Sequence, residues 1–233
     1  MKQHPKLPVI AIIGVDGSGK STLCNELMVW LKDQYPTRLC HLGRQTGGIA
    51  RTIARLPFVG KKIDHNIANK TNKARMNKGP NGFVACVMFL LSLKRVYRFC
   101  KMLQLEKQGF LILTDRYPQT SVIGGLDGPD MTVDHPKSNI ARYLTRLERR
   151  LYHWMTDHQP DLVIRLNVDI ETAMRRKPDH RLSSITKKIE SIQQLTFKDA
   201  PILDLNSHQY PIGQIVQQAK DAISKTIEKS LNN

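Results

Sequence analysis

Two rhythms of apolar residues alternate along the chain. Short runs rich in Val, Ile and Leu occur at LPVIAII (7–13), FLILT (110–114) and DLVIRLNV (161–168), with PILDLN (201–206) and the shorter TRLCHLG (37–43) beside them. Unbroken runs of this length belong to strands covered on both faces. Between them the apolar spacing changes to three and four residues, as a helix requires. It does so in STLCNELMVWLKDQ (21–34), FVACVMFLLSLKRVYRFCKMLQLEKQG (83–109), a stretch around 138–158, DIETAMRRK (169–177), about 182–198, and an amphipathic C-terminal segment. Asp169 suits a helix N-cap, Pro178 a helix stop, and Gly109 the end of the long helix. Strands and helices alternate without an internal repeat, low-complexity tract or linker. The pattern predicts a parallel five-stranded α/β sheet with helices on both faces, in one domain over residues 1–233.

The chemistry concentrates where strands end. GVDGSGKST (14–22) follows the first strand and opens the first helix, the context that the phosphate-binding pattern G-x-x-x-x-G-K-[ST] demands. Gly14, Gly19, Lys20 and Ser21 fill the pattern, and Val15, Asp16, Gly17, Ser18 and Thr22 complete the stretch expected to hold ATP. Gly17 and Gly19 let backbone N–H groups turn inward around phosphates, Lys20 offers a point charge, and Ser21 offers a hydroxyl to Mg2+. This is a P-loop NTPase signature. FLILT delivers DRYPQTS to the carboxyl edge of the sheet, where open α/β sheets bind ligands. Asp115 is placed there to hold the metal, directly or through water, with Arg116 beside it for an anionic acceptor. Arg175, Arg176, Lys177 and Arg181 bracket Pro178 in a lid region over 175–200, and Arg175 and Arg176 join Lys20 and Asp115 as expected catalytic groups.

The net charge of +16 is unevenly spread. Between Arg44 and Gly82 nine Lys or Arg residues face one acid, Asp64, so this basic insertion over 43–82 supplies eight of the excess charges. Such density could steer an anionic nucleotide, lie on an acidic membrane or hold nucleic acid. Single-strand binding calls for interleaved aromatics, and Phe58 stands alone there, which argues against nucleic acid. Phe83 to Leu91 is shorter than the roughly 18 apolar residues a bilayer span needs. Core packing or a homodimer face on the 83–108 helix is the expectation there, with peripheral membrane contact less favoured. Cys24, Cys40, Cys86 and Cys100 lack C-x-x-C spacing and read as free thiols. The N-terminus runs straight into the phosphate loop and does not read as a signal peptide, so a cytoplasmic protein is expected.

GVDGSGKST, RQTGG (44–48) and TDRYPQT (114–120), in this order and at these separations, resemble the thymidylate kinases among the P-loop nucleoside monophosphate kinases. The resemblance covers essentially the whole chain. It implies phosphoryl transfer from ATP with Mg2+ to a nucleoside monophosphate, dTMP + ATP to dTDP + ADP or a close relative. It places Asp16 near the acceptor sugar's hydroxyl, Arg44 and Arg116 at the acceptor phosphate, Tyr117 in the same D-R-Y motif, and Arg95 facing the base. The lid cations stand in for an arginine that the phosphate loop lacks. The chain also departs from the family. R-E-P-G-G has become R-Q-T-G-G, and Gly124 and Gly125 occupy the place of the A-Y-Q residues near the base. The same parts would serve a nucleoside, a sugar or a phosphosugar. A reading from another class is an NTP-binding switch module at a membrane or nucleic acid.

Overall fold

The computed structural model describes residues 6–43, 82–131 and 138–232. Five parallel strands, β1 (Val9–Gly14), β2 (Thr37–His41), β3 (Leu111–Asp115), β4 (Leu162–Asn167) and β5 (Ile202–Asn206), form one sheet in the order β2-β3-β1-β4-β5. Six described helices connect and follow them: α1 (Lys20–Lys32), α2 (Gly82–Lys107), α3 (Asn139–Asp157), α4 (Ile170–Arg176), α5 (Leu182–Ile192) and α6 (Ile212–Leu231). The expected α/β architecture is what the chain adopts.

The unbroken apolar runs have a simple cause. Successive side chains of a strand point to opposite faces, and here both faces are covered. Ile10 and Ile12 of β1 pack with Leu23, Leu27 and Leu31 of α1 and with Ile223 of α6. Val9, Ala11 and Ile13 pack on the other side with Phe99 of α2, Tyr152 of α3 and Ile185 of α5. Register then fixes the site. Asp115, last in β3, lies opposite Ile12 of β1 and His41 of β2, so the carboxylate stands beside the root of the phosphate loop.

The helix termini follow their local chemistry. Asp169 accepts from the Thr172 backbone N–H at 2.7 Å to start α4, which ends at Arg176, two residues before Pro178. Ser138 does the same for α3 through Ala141 at 3.1 Å. The expected 182–198 helix stops at Ile192. Arg165, in the middle of β4, takes up its end by donating to the carbonyls of Ile192, Gln193 and Leu195 at 3.3, 3.4 and 3.4 Å. The same guanidinium is bidentate on Asp204 of β5, at 2.6 and 2.8 Å.

Those hydrogen bonds from Arg165 hold the Asp204 carboxyl below its ordinary value of 3.8. A depressed carboxylate contributes stability above that value and loses it as pH falls through the folded-state value. With Asp204 about half exposed and screened, Asp204→Asn is expected to cost only about 1 kcal/mol at pH 7, and to flatten the loss of stability below pH 4. Urea midpoints at pH 7 and pH 3 check this; an unchanged difference between them would remove Asp204 from the account.

Candidate active site

The loop after β1 is shaped by its glycines. Gly17 and Gly19 lie at φ 85° and 91°, in the left-handed region that side chains avoid. A Cβ at Gly17 would also come within 2.9 Å of the Ala173 carbonyl, so the loop presses against α4. Lys20, 8% exposed, donates to the Val15 carbonyl at 2.7 Å. Burial, and then the charge of Arg116, push its ammonium down to about 8. The Ser18 hydroxyl is buried without a hydrogen-bond partner, while Ser21 and Thr22 are exposed at the start of α1. Gly14 and Val15 lead into the loop at the carboxyl end of the sheet.

One lid cation is already on the loop. Arg176 donates from Nη1 to the Gly17 carbonyl at 3.0 Å and from Nη2 to the Ser207 carbonyl at 3.0 Å. It forms one wall of a cavity of about 390 Å³ bounded by Gly19, Thr22, Ser207, Pro211 and Ile215. Arg175, one residue earlier on the same helix, is exposed, and no contact between it and the loop is described. Ser207 was not foreseen from sequence, and no local signal marks it.

On the other side of the loop a chain of charges forms. Asp16 is paired with Lys188 of α5, lies 3.6 Å from Arg116 Nη2, and has His180 at 3.8 Å. Burial pushes its carboxyl up, but Lys188 and then Arg116 outweigh this and hold it below 3.8. Arg116, at φ 72°, reaches Asp127 Oδ2 with Nη1 at 3.6 Å. Asp127 Oδ1 accepts from Arg95 Nη2 at 2.8 Å, and Arg95 Nη1 binds the Asp127 carbonyl and the Tyr152 hydroxyl at 2.9 and 2.7 Å. Asp16, Arg95 and Arg116 are thus brought into one network. Lys188, His180 and Asp127 join it without a motif that announced them.

Three expectations need correction or a boundary. Tyr117 is 3% exposed, donates its hydroxyl to the His158 carbonyl at 2.6 Å, and meets Phe99 and Phe197 edge to face. It is a core residue, since the aromatic ring gains more from that packing than from a polar cleft. Arg95 is buried behind Asp127, and both its terminal nitrogens donate to protein groups rather than opening on the cleft. Arg44, and the basic insertion around it, lie outside the described residues.

Asp115 completes the arrangement. Its Oδ1 is buried with no hydrogen-bond partner, and Oδ2 stands 3.6 Å from His41 Nδ1. A buried carboxylate oxygen without a partner is costly unless a cation or donor arrives.

No protein-family model matches the chain. Over 218 residues it is 40% identical to the "Uncharacterized ATP-binding protein YghS" of Escherichia coli strain K12, covering 92% of each chain. It is 36% identical over 219 residues to the "Uncharacterized ATP-binding protein YghR" of the same strain, covering 93% of this chain and 86% of that one. Among solved structures, thymidylate kinase from Candida albicans is similar with a TM-score of 0.55 at 19% identity, over 97% of this chain and 94% of that chain. The chain belongs to the family of YghS and YghR, and its fold is the P-loop fold of thymidylate kinase.

Proposed function

We propose that the chain is an ATP-dependent phosphotransferase of thymidylate kinase type. The carrying observation is the convergence of a buried lysine in a glycine-shaped loop, an orphaned carboxylate oxygen on the next strand, and a cavity walled by Arg176 beside the same loop. The names of the relatives, which describe ATP-binding proteins, support the donor. The triphosphate would lie along residues 14–22, with the base in the cavity between Arg176 and Pro211.

Asp115 and Ser21 fit a magnesium ion, because a hard divalent cation takes oxygen donors and Asp115 Oδ1 has none of its own bonds to give up. Bound there, magnesium would neutralise phosphate charge. Lys20 would exchange its Val15 carbonyl for a phosphate oxygen. Arg116 and Lys188 flank Asp16 on the acceptor side, where positive charge would meet the transferred group. The acceptor's nucleophilic oxygen attacks the γ-phosphorus, and the β,γ-bridging oxygen departs with its electron pair as part of ADP. A nucleoside monophosphate is the acceptor that the resemblance implies. The Candida enzyme is described as having broad substrate specificity, so its fold accommodates more than one acceptor.

The exposed residues Phe83, Leu90 and Tyr97 recur every seven positions along α2, with Leu93 nearby. This face suits a second copy of the chain, and we read the enzyme as a cytoplasmic homodimer. No described helix is long and apolar enough to cross a membrane.

The test is ADP release by the purified chain with ATP, magnesium and a panel of nucleoside monophosphates, nucleosides, sugars and phosphosugars. Acceptor-dependent ADP release is expected. Arg176→Ala should raise the KM for ATP about tenfold, a loss of about 1.4 kcal/mol, with the acceptor's KM unchanged. Binding of ATP with no acceptor-stimulated ADP release across the panel would instead mark a switch module.

A further inference from the structure

We propose that Gly43 is a positioning residue for the acceptor: having no side chain, it lets the Arg116 stem cross the end of β2 and so fixes where the guanidinium is presented. The proposal rests on the kinase reading above, with Arg116 as an acceptor-side cation, and names the residue that aims it.

The sheet brings the two together. Gly43 follows β2 by two residues and Arg116 follows β3 directly. The strands are parallel neighbours with His41 opposite Asp115, and the Leu42 N–H continues the pairing by donating to the Asp115 carbonyl at 3.2 Å. Gly43 and Arg116 therefore leave the sheet side by side. A Cβ at Gly43 would lie 2.5 Å from Arg116 Cδ, 3.0 Å from Nε and 3.5 Å from Cγ. Carbon atoms in van der Waals contact stand about 3.5 to 4.0 Å apart, so an alanine would displace the arginine stem. The three nearest atoms all belong to Arg116, and the Gly43 backbone lies outside the left-handed region. Alanine is thus refused by this neighbour and not by its own conformation.

Both backbones are held where they meet. From α2, Arg98 Nη1 donates to the Gly43 carbonyl at 3.2 Å. The Arg116 N–H donates to the Ile12 carbonyl of β1 at 2.9 Å, its carbonyl accepts from the Thr114 hydroxyl at 3.0 Å, and its φ is 72°. A left-handed residue other than glycine costs energy and persists where its surroundings impose it, as functional sites often do. The fixed backbone sets the direction in which the side chain departs, and Gly43 leaves open the path it takes.

That path ends between two loops. One terminal nitrogen stands 3.6 Å from Asp16 Oδ1 in the phosphate loop, the other 3.6 Å from Asp127 Oδ2 in the loop after β3. Each carboxylate has a closer cation, Lys188 on Asp16 and Arg95 on Asp127 at 2.8 Å. The two contacts of Arg116 are longer than hydrogen bonds, so its tip is aimed by its stem more than by clamps at its end. A stem pushed off this path keeps its charge and loses its aim. Acceptor binding then weakens, while the cavity walled by Arg176 on the other side of the phosphate loop is untouched.

The experiment is a double-mutant cycle of wild type, Gly43→Ala, Arg116→Ala and the double variant. It is read as KM and kcat with ATP, magnesium and thymidine monophosphate, or whichever member of the acceptor panel turns over faster, and as urea midpoints. Residues that act through one another give a non-additive cycle. Gly43→Ala is expected to raise the acceptor's KM about tenfold when Arg116 is present and less than about twofold when it is not, with the KM for ATP unchanged in both. By urea midpoint the alanine is expected to be better tolerated once the arginine stem is gone. A merely structural role would cost the same in both backgrounds. Equal effects in the two backgrounds, or an acceptor KM that Gly43→Ala leaves unmoved, overturns the proposal. Should Gly43→Ala fail to fold, the double variant decides: folding supports the proposal, and failure overturns it, because the alanine then collides with something other than Arg116. No turnover of any panel member by the wild type overturns the kinase reading and this proposal with it, whereas turnover with an additive cycle overturns the proposal alone.

Discussion

Lys20→Met is expected to lower turnover about a thousandfold while making the ligand-free protein more stable at pH 7. The two effects have one cause. Lys20 is buried, its ammonium is pushed down from 10.5 to about 8 by burial and then by Arg116, against the weaker pull of Asp16, Asp115 and Asp127, and its described hydrogen bond goes to the Val15 carbonyl. Without phosphate the charge is a burden. A group with a folded-state value below its unfolded one binds fewer protons when folded, so stability rises with pH between about 8 and 10.5. The full penalty, about 3 kcal/mol by this shift, is present below pH 8 and gone above 10.5. Methionine removes it and loses one hydrogen bond of about 1 kcal/mol, leaving a net gain of about 2 kcal/mol at pH 7 and little at pH 10.5. With ATP bound the balance reverses, since one electrostatic contact to a developing charge contributes about 3 to 4 kcal/mol to the transition state. Urea unfolding at both pH values, alongside steady-state rates, checks the pair. Near-normal turnover would sink the kinase reading, and destabilisation at pH 7 would show that the stem packs the core.

Asp115→Asn should act in the opposite compartment of the mechanism. The orphaned Oδ1 has no protein bond to lose, so the fold is expected to keep its urea midpoint. Turnover is expected to fall on the order of a hundredfold, because an amide is a poorer ligand for magnesium than a carboxylate and leaves phosphate charge less neutralised. A titration of magnesium in both proteins separates the causes. If the variant matches the wild type's magnesium dependence, Asp115 does not hold the ion.

Where sequence and structure agree, the signal was local. The phosphate loop is legible because backbone geometry itself requires glycine at 17 and 19, and the strands because covering on both faces forces unbroken apolar runs. Asp169 and Pro178 bound α4 through contacts a few residues long. What sequence reading missed depends on distant pairing. Lys188 meets Asp16 across 172 positions, and Arg165 ends α5 early from a strand 27 residues before it. Tyr117 carried a motif's expectation but went to the core, because the hydroxyl found a backbone carbonyl 41 residues away. Asp127 was visible only as part of a glycine-rich turn. Its meaning depends on Arg95 and Arg116, which no spacing along the chain brings together.

α5 is fastened differently at its two ends. The carbonyl of its last residue, Ile192, is held to the middle of the sheet by Arg165, while Lys188, one turn earlier, and His180, just ahead of the helix, reach Asp16 in the phosphate loop. Mechanically this is a lever with a fixed pivot and a releasable catch. Eleven helical residues make an arm of about 16 Å, so a rotation of about 15° at the Arg165 end would carry the Leu182 end through roughly 4 Å.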